Sequence, residues 1–278
     1  MFRKVRPLFF WLVICCNHTD NLNFSIRLLF NLNKLYKMKK SIFFFAAIIV
    51  FALNSYGAVV YERDEFQTSA GKLVITFFGH SSFRLDINGK SIYIDPWSKL
   101  ADFAHQPKAD LILLTHEHYD HLDTTAISNL SNTETQLYCT ASIQKMINKG
   151  LIMKNGDIKM WNGIKIEAVP AYNLTPNKEE FHPKSRDNGY ILTIGDKRFY
   201  IAGDSENTPE MKAVKNIDVA FLPMNQPYTM TPEQLADAAA AIHPKILYPY
   251  HTGETDLELL KSLMLKYPNI ELRIRSLK

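Results

Sequence analysis

Short apolar runs separated by turns dominate the hydrophobic pattern of the chain. Eight runs of four to six residues are rich in β-branched and aromatic side chains, as is typical of strands. The dipeptides Asn88-Gly89, Asn162-Gly163 and Gly195-Asp196 each join two of these runs and predict hairpin turns. The predicted strands are Leu73–Phe78, Phe83–Ile87, Ser91–Ile94, Ile158–Trp161, Ile164–Ala168, Tyr190–Ile194, Arg198–Ile201 and Val219–Leu222.

Helical spacing of apolar residues marks four further segments. They are Ala141–Lys149, Thr208–Val214, Pro232–Ile242 and Asp256–Tyr267. Thr231 before Pro232 predicts the start of the third helix, because threonine caps helices and proline is favoured in the first turn. Strands followed by helices, repeated in two halves, predict an α/β fold. We expect two packed sheets with helices outside them, a four-layer αββα sandwich.

Composition and charge are those of an ordered enzyme domain. The chain is 46% hydrophobic and 22% charged, which is enough to bury a sizeable core. Residues 1–58 hold eight basic side chains and only Asp20 as an acid, so the remaining chain has 24 basic and 27 acidic residues. Nucleic-acid binding is therefore not expected, since the domain lacks the basic excess that phosphate backbones attract.

Residues 38–58 have the organisation of a secretory signal peptide. Met38-Lys39-Lys40 begins a positive segment, Ile42–Leu53 is a twelve-residue apolar stretch, and small residues follow up to Ala58. Twelve apolar residues are too few for a membrane span, which needs about 20. We therefore expect an exported protein, periplasmic or secreted, whose hydrolase domain, residues 59–278, has no stable membrane span.

Residues 1–37 lack this organisation, and we interpret them as translated upstream sequence with Met38 as the natural start. A rival leader is Leu8–Cys16, which would end in a lipidated cysteine. Ile14 directly before Cys15 argues against it, because that position usually holds a small residue.

The densest chemical signal is the run His116-Glu117-His118-Tyr119-Asp120-His121, which directly follows the apolar run Leu111–Leu114. A strand that ends in imidazoles and carboxylates presents them together, where a cation can bind them. Zinc accepts imidazole nitrogen and carboxylate oxygen, and catalytic zinc sites keep one position for water. Chance clustering on a solvated loop is disfavoured, because three of nine histidines fall within six positions. The run predicts a metal-dependent hydrolase.

This run resembles the H-x-H-x-D-H signature of the metallo-β-lactamase superfamily. Gly203-Asp204-Ser205 and His251, each after a strand-like run, resemble later motifs of that superfamily. Phe78–Phe83 and Tyr93–Trp97 resemble the opening hairpins of one branch, which includes the L-ascorbate 6-phosphate lactonase-like proteins and N-acylphosphatidylethanolamine-hydrolysing phospholipase D. The resemblance covers the chain from about Gly71 onward. It implies two bound divalent cations, Zn²⁺ in the first place, with Mn²⁺ or Fe²⁺ as alternatives.

The resemblance also implies the metal ligands, with one position open. They are His116 and His118 for the first metal, Asp120, His121 and His251 for the second, and Asp204 as a bridge. A third ligand of the first metal is expected after a strand, where the segment Pro-Ala-Tyr-Asn places Asn173. Either Asn173 binds through its side-chain oxygen, or His182 folds back from the following loop. Relatives with this segment commonly carry a nearby His-Pro-Lys, which favours His182.

The mechanism that the resemblance implies is hydrolysis of an ester, lactone or phosphodiester bond in a small molecule. A metal-bound hydroxide attacks, because coordination to zinc lowers the pKa of water to about 7. Asp120 orients this hydroxide or accepts a proton, and it is the candidate catalytic residue. The alternatives are an RNA-processing nuclease of the same superfamily and a non-catalytic metal-binding protein. The acidic domain and the export signal disfavour the nuclease.

Several residues are candidates for substrate contact or for support of the ligands. His80 resembles a position that faces the metal cleft in relatives, and Asn173 and Tyr228 are candidates on the loops around it. Asp123, shortly after the metal run, is expected to orient a ligand histidine. Asp95 has two interpretations, a residue that shapes the cleft floor or an ordinary Asp-Pro turn.

We predict that the natural protein begins within a few residues of Val59, because the apolar stretch and the small residues after it are the features that direct export and cleavage. Mass spectrometry of protein isolated from its own host checks this. A cytoplasmic protein that retains Met1 would overturn both the leader and the assignment of Met38 as the start.

Overall fold

Two mixed sheets of seven strands each form the centre of the protein in the computed structural model, which describes residues 59–277. The first sheet contains β1 (Arg63–Thr68), β2 (Gly71–Gly79), β3 (Ser82–Ile87), β4 (Lys90–Ile94), β5 (Leu111–Leu113), β6 (Gln136–Cys139) and β7 (Leu151–Ile152). The second contains β8 (Ile158–Trp161), β9 (Ile164–Ala171), β10 (Asp187–Ile194), β11 (Lys197–Ile201), β12 (Val219–Pro223), β13 (Ile246–Tyr250) and β14 (Glu271–Leu272). The predicted extension, residues 1–37, and the predicted signal peptide, residues 38–58, lie outside the described residues.

Each sheet combines an antiparallel half with a parallel half. Strands β1 to β4 pair antiparallel, and β4 to β7 pair parallel. Strands β8 to β11 and β11 to β14 repeat the same scheme. Parallel neighbours need long crossovers, and helices lie in five of them. These helices are α1 (Thr124–Leu130), α2 (Ala141–Ile147), α3 (Pro209–Ala213), α4 (Pro232–Ile242) and α5 (Leu257–Met264), and a one-turn 3-10 helix spans Phe103–His105.

Three buried apolar clusters separate four layers. Leu73 of β2 and Phe221 of β12 belong to the cluster between the two sheets. Ile112 of β5 points to the opposite face, because successive strand residues alternate, and it packs with residues of α1 and α2. Leu235 of α4 lies in the third cluster, which joins α3, α4 and α5 to the second sheet. The predicted αββα sandwich is confirmed. None of the helices in residues 59–277 is long and apolar enough to cross a membrane.

The predicted strands are all present, with ends that differ by a few residues, and Pro232–Ile242 is a helix with a Thr231 capping box. Several elements were not predicted: the short strands β7 and β14, the 3-10 helix, strand β1 and helix α1. Strand β1 is a polar edge strand with alternating exposure, and only its Phe66 packs on the central cluster. Helix α1 is short and contains two threonines, so its apolar periodicity is weak, and its N-terminus depends on the capping side chain of Asp123.

The metal motifs follow the ends of parallel strands. His116 comes shortly after β5, Asp204 after β11 and His251 directly after β13. Carboxyl ends of parallel strands lie at the same edge of a sheet, where α/β proteins commonly bind their ligands. The packing of the two sheets brings these edges together.

Candidate metal centre

The predicted ligands meet at this edge of the sandwich in three overlapping groups. In each group, one ligand atom per residue lies within 4.8 Å of the others. The groups are His116, His118 and His182; His80, Asp120, His121 and His251; and His116, His121 and Asp204. All seven residues predicted as ligands are therefore in one place, with His80 beside them.

The first group contains the loop histidine. His116 Nε2 and His118 Nδ1 lie 3.0 Å apart. The ring centroid of His182 is 4.9 Å from that of His116 and 4.8 Å from that of His118. His182 is only 1% exposed, so the loop between β9 and β10 turns it into the site and away from solvent.

The second group is built around Asp120. Its Oδ2 accepts a hydrogen bond from His80 Nε2 at 3.0 Å and lies 3.6 Å from His251 Nε2. The rings of His121 and His251 are nearly parallel, with centroids 5.2 Å apart. His80 also packs on His251, with centroids 3.7 Å apart, so it touches two of the predicted ligands.

Asp204 lies between the two groups. Its Oδ2 is close to four ring nitrogens, at 3.3 Å from His251 Nε2, 3.5 Å from His182 Nε2, 3.6 Å from His121 Nε2 and 4.0 Å from His116 Nε2. Gly203 places it there. The backbone of Gly203 has a φ of +67°, and a Cβ at this position would lie 2.6 Å from the carbonyl oxygen of Asn188. Glycine is therefore required by both conformation and space.

Two buried carboxylates orient the ligand rings, and neither was predicted in that role. His121 Nδ1 donates to Asp95 Oδ2 at 2.9 Å, and His182 Nδ1 donates to Asp187 Oδ2 at 3.0 Å. Asp95 also accepts from the backbone N–H and hydroxyl of Thr115, at 2.8 and 2.6 Å. A carboxylate on Nδ1 leaves Nε2 of the same ring available to a metal, as is common at metal sites. The Asp-Pro pair had made Asp95 a candidate residue in the sequence, whereas no motif in the sequence indicated a role for Asp187.

The expectation for Asp123 was wrong. Its Oδ1 accepts from the N–H groups of Thr125 and Ala126 at the start of α1, and its Oδ2 accepts from the N–H of Ser98. The side chain therefore caps a helix and fixes a neighbouring turn. The apolar periodicity of α1 is too weak to indicate a helix that Asp123 could cap, and Asp95 takes the place beside His121.

Asn173 lies at the junction of two loops on the rim. Its Nδ2 donates to the carbonyl oxygens of Lys178, at 3.1 Å, and Tyr228, at 2.7 Å. Its backbone N–H donates to the carbonyl of His182 at 2.9 Å. Asn173 Oδ1 is buried and has no hydrogen-bond partner in the described part of the chain. The amide nitrogen thus supports the loop that carries His182.

Three residues of the site have left-handed backbone conformations. The φ angles are 51° for His80, 39° for Asp95 and 49° for His251. Such conformations are unfavourable for side chains other than glycine, and they concentrate at functional sites where the surrounding structure holds them. A hydrogen bond from the His251 N–H to the His80 carbonyl, 3.2 Å long, holds two of these residues together.

Burial and the neighbouring charges set the protonation of the site. Desolvation, with repulsion from the other rings, holds the pKa of His116 well below its usual range, so this ring is neutral. Burial alone would raise the pKa of Asp120, but the nearby imidazole of His251 and the hydrogen bond from His80 lower it. Burial opposes a charge on His121, yet Asp204 and Asp95 raise its pKa to about 9. The negative field that favours a proton there also attracts a cation.

Unpartnered polar atoms test whether the residues fit a metal. His121 Nε2, His251 Nε2 and Asp204 Oδ1 are buried and have no hydrogen-bond partner among residues 59–277. Burying such atoms unpaired is costly, about 1 to 3 kcal/mol each. Imidazole nitrogens and carboxylate oxygens that converge without donors between them are a ligand set for zinc or a related divalent ion. The residues therefore fit a metal centre.

A cleft of about 540 Å³ opens onto these groups. His80, His118, Asp120, His182, Asp204 and His251 line its interior, together with Asn225 and Glu117. Four aromatic side chains complete the lining, and they are Trp97, Tyr119, Phe181 and Tyr228. The predicted position of Tyr228 on a rim loop agrees with this location. A small molecule has access to the predicted ligands through this cleft.

Residues 74–251 match the family model of the beta-lactamase superfamily domain, and the chain belongs to the metallo-β-lactamase superfamily. A relative from Ligilactobacillus salivarius, named a UPF0173 metal-dependent hydrolase, is 34% identical over 189 residues, which are 64% of this chain and 84% of the relative. A relative of the same description from Thermodesulfovibrio yellowstonii is 30% identical over 246 residues, covering 77% of this chain and 86% of the relative. The chain is accordingly a metal-dependent hydrolase of the UPF0173 type.

Solved structures agree with the fold. A protein from Parabacteroides distasonis, described as a metal-dependent hydrolase, is 50% identical, with a TM-score of 0.77 over 79% of this chain and 100% of its own. A metallo hydrolase from Ignicoccus hospitalis is 25% identical, with a TM-score of 0.63 over 74% of this chain and 95% of its own.

We predict that His182→Ala lowers metal content far more than Asn173→Ala. His182 lies within the first group of ligand atoms, whereas the amide nitrogen of Asn173 is bonded to two backbone carbonyls and holds its side chain at the loop junction. Metal analysis of both purified variants checks this, with circular dichroism to confirm that they fold. A larger metal loss in Asn173→Ala, with the metal of His182→Ala intact, would reverse the assignment.

We predict that Asp95→Asn weakens zinc binding by about 10- to 100-fold, because the orienting charge on His121 is lost. The matched control is Asp123→Ala. It removes a helix cap worth about 1 kcal/mol of unfolding free energy and leaves zinc affinity unchanged. Chelator competition measures the affinity and urea unfolding the stability. Equal losses of zinc affinity in both variants would contradict these roles.

Proposed function

We propose that the protein hydrolyses an ester, lactone or phosphodiester bond in a small molecule with the help of two divalent cations, Zn²⁺ in the first place. The observation that carries this proposal is the convergence of buried, unpartnered ligand atoms on one accessible cleft. His116, His118 and His182 would hold the first ion, Asp120, His121 and His251 the second, and Asp204 would bridge them. The ring orientations imposed by Asp95 and Asp187 support this assignment.

Divalent ions held there would supply Lewis-acid polarisation of the attacked oxygen and a lowered pKa for water. The protein supplies Asp120 as the candidate catalytic residue. Its carboxylate lines the cleft and its side chain is 17% exposed, so water and substrate have access to it. The low pKa keeps it ionised, and it is therefore available to bind an ion and to orient an attacking water.

Water is the nucleophile in this proposal, because the nearby serines are already engaged. Ser81, Ser82 and Ser205 are fully buried. Ser82 donates to the carbonyl of Asp95, and Ser205 donates to the carbonyl of Tyr172 at 2.9 Å. Ser81 Oγ lies 3.2 Å from His121 Nδ1. These buried hydroxyls therefore contact residues around the site and do not act as nucleophiles.

His80 is proposed as a positioning residue. Its Nε2 donates to Asp120, and its ring packs on His251, so it fixes two of the ligands of the second ion. The type of bond is inferred from the resemblance of the opening hairpins to lactonase-like and phospholipase D-like proteins. Export to the periplasm or the medium, inferred from residues 38–58, would place this hydrolysis outside the cytoplasm.

We predict close to two divalent ions per chain, and hydrolysis that depends on them. Metal analysis after zinc supplementation measures the number of bound ions. To test whether hydrolysis depends on them, bis(4-nitrophenyl) phosphate, 4-nitrophenyl acetate and a simple lactone are assayed before and after EDTA treatment, then with zinc restored. EDTA should abolish turnover and zinc should return it, while Asp120→Asn should stay inactive with zinc present. A protein that takes up no metal, or whose turnover survives EDTA, would refute the proposal.

A further inference from the structure

The cleft over the predicted metal ligands is bordered by four large aromatic side chains. Tyr119 is 72% exposed and Tyr228 is 45% exposed, so both present much of their surface to solvent. Exposed apolar surface gathered at one place commonly marks a binding site. Here it borders the space above the ligand groups, and it belongs to the same cleft as Asp120 and His251.

The first aromatic pair comes from loops of the first sheet. Trp97 follows β4, and Tyr119 stands in the metal run between His118 and Asp120. Their rings meet edge to face, with centroids 5.9 Å apart. Trp97 also lies 5.3 Å from the ring of His80. This pair therefore borders the side of the site where Asp120 and His80 lie.

The second pair comes from loops of the second sheet. Phe181 directly precedes His182, and its ring meets that of Tyr228 edge to face at 5.1 Å. Asn173 Nδ2 bonds the carbonyls of Tyr228 and Lys178, which fixes the two loops against each other. The pair is thus held in place before any substrate arrives, which reduces the entropy lost on binding.

Two charged side chains near the aromatic rings of the cleft differ in whether they have an ion-pair partner. Lys99 Nζ lies 5.0 Å from the ring centroid of Trp97 and 5.6 Å from that of Tyr119, and it makes no ion pair with a carboxylate in residues 59–277. Glu117, which lines the cleft, pairs with Arg186 at 3.1 Å and accepts a hydrogen bond from the hydroxyl of Ser142 at 2.8 Å. Lys99 therefore places a positive charge against two of the rings that line the cleft, whereas the negative charge of Glu117 is paired with Arg186.

We propose that the substrate is an anionic molecule in which a bulky apolar group, an aromatic ring or a similar acyl group, adjoins the bond to be cleaved. The two aromatic pairs hold that group, and Lys99 attracts the anion. Because Tyr119 and Phe181 are direct chain neighbours of predicted ligands, a bond placed at the metal centre brings its substituent against these rings. This inference rests on the proposed hydrolytic function and names its substrate class.

Two phosphodiesters with the same leaving group test the inference in the full-length, zinc-loaded protein. Phenyl 4-nitrophenyl phosphate and methyl 4-nitrophenyl phosphate share one aromatic ring, the leaving group, and differ only in whether a second ring is present for the other aromatic pair. We expect kcat/KM for the phenyl compound to exceed that for the methyl compound by about tenfold or more. Phe181→Ala and Tyr228→Ala should each reduce this ratio by about three- to tenfold, the value of one aromatic contact. The reduction should appear mainly in KM.

Lys99→Gln tests the charge. It should lower kcat/KM for methyl 4-nitrophenyl phosphate relative to neutral 4-nitrophenyl acetate by about threefold or more, and added salt should reduce the same ratio in the wild type. Met160→Ala is the matched control, since Met160 is an exposed apolar side chain on β8 that is not part of the cleft. It should leave both ratios unchanged.

The possible outcomes distinguish a failure of the proposed hydrolytic function from a failure of the proposed substrate class. A wild type that binds zinc but hydrolyses neither these three compounds nor a simple lactone contradicts the proposed function, and the inference falls with it. A wild type that hydrolyses the lactone alone overturns the anionic substrate class while the hydrolytic function stands. A wild type that hydrolyses the phosphodiesters without preferring the phenyl compound overturns the substrate class while the hydrolytic function stands. The same holds if Phe181→Ala and Tyr228→Ala leave the ratio unchanged, or if Lys99→Gln does not separate charged from neutral substrates.

Discussion

The site depends on one buried carboxylate that is crowded by imidazoles. Asp204 is almost fully buried, and ring nitrogens from both sheets surround its Oδ2. An ionised carboxylate in such surroundings requires compensating positive charge or hydrogen-bond donors. The rings supply part of this, since His251, His121 and His182 lower the pKa of Asp204 against the effect of burial. One oxygen is still unpartnered among the described residues, and it is available to a cation.

The sequence predicts those ligands of the site that lie close together in the chain or follow a clear strand. Four ligands stand within six residues after β5, and Asp204 and His251 each follow a recognisable strand. Asp95 and Asp187 were not predicted as hydrogen-bond partners of the ligand histidines, because these roles depend on tertiary contacts. Asp95 lies opposite Thr115 only because β4 pairs with β5, and it is this pairing that brings it to His121. Asp123 was misassigned because a short, weakly periodic helix uses it as a cap.

The third histidine of the first group comes from a loop, which requires the loop to be ordered. Glu206 accepts hydrogen bonds at 2.7 Å from the N–H groups of Leu174 and Thr175, where the loop begins. Arg186 donates to the Phe181 carbonyl and to Asp187, where the loop ends. Asn173 also bonds across to the neighbouring loop, so hydrogen bonds at both ends of the loop fix the position of His182. The residues that fix this loop are spread along the chain, so no local pattern reveals them.

Both sheets contribute ligands, so the metal centre and the packing of the sheets stabilise each other. Backbone hydrogen bonds already cross between the sheets at this edge, from Asn188 to Thr115 and from His251 to His80, and the Tyr190 hydroxyl donates to the carbonyl of Leu114. A divalent ion bound by His116 and His182, or by His121 and His251, would add a bond between the same two sheets. Binding that occurs only when the sheets are packed adds its free energy to that of folding. The alignment of the cleft, and of the aromatic pairs that each sheet contributes, therefore depends on the same contacts that hold the sandwich together.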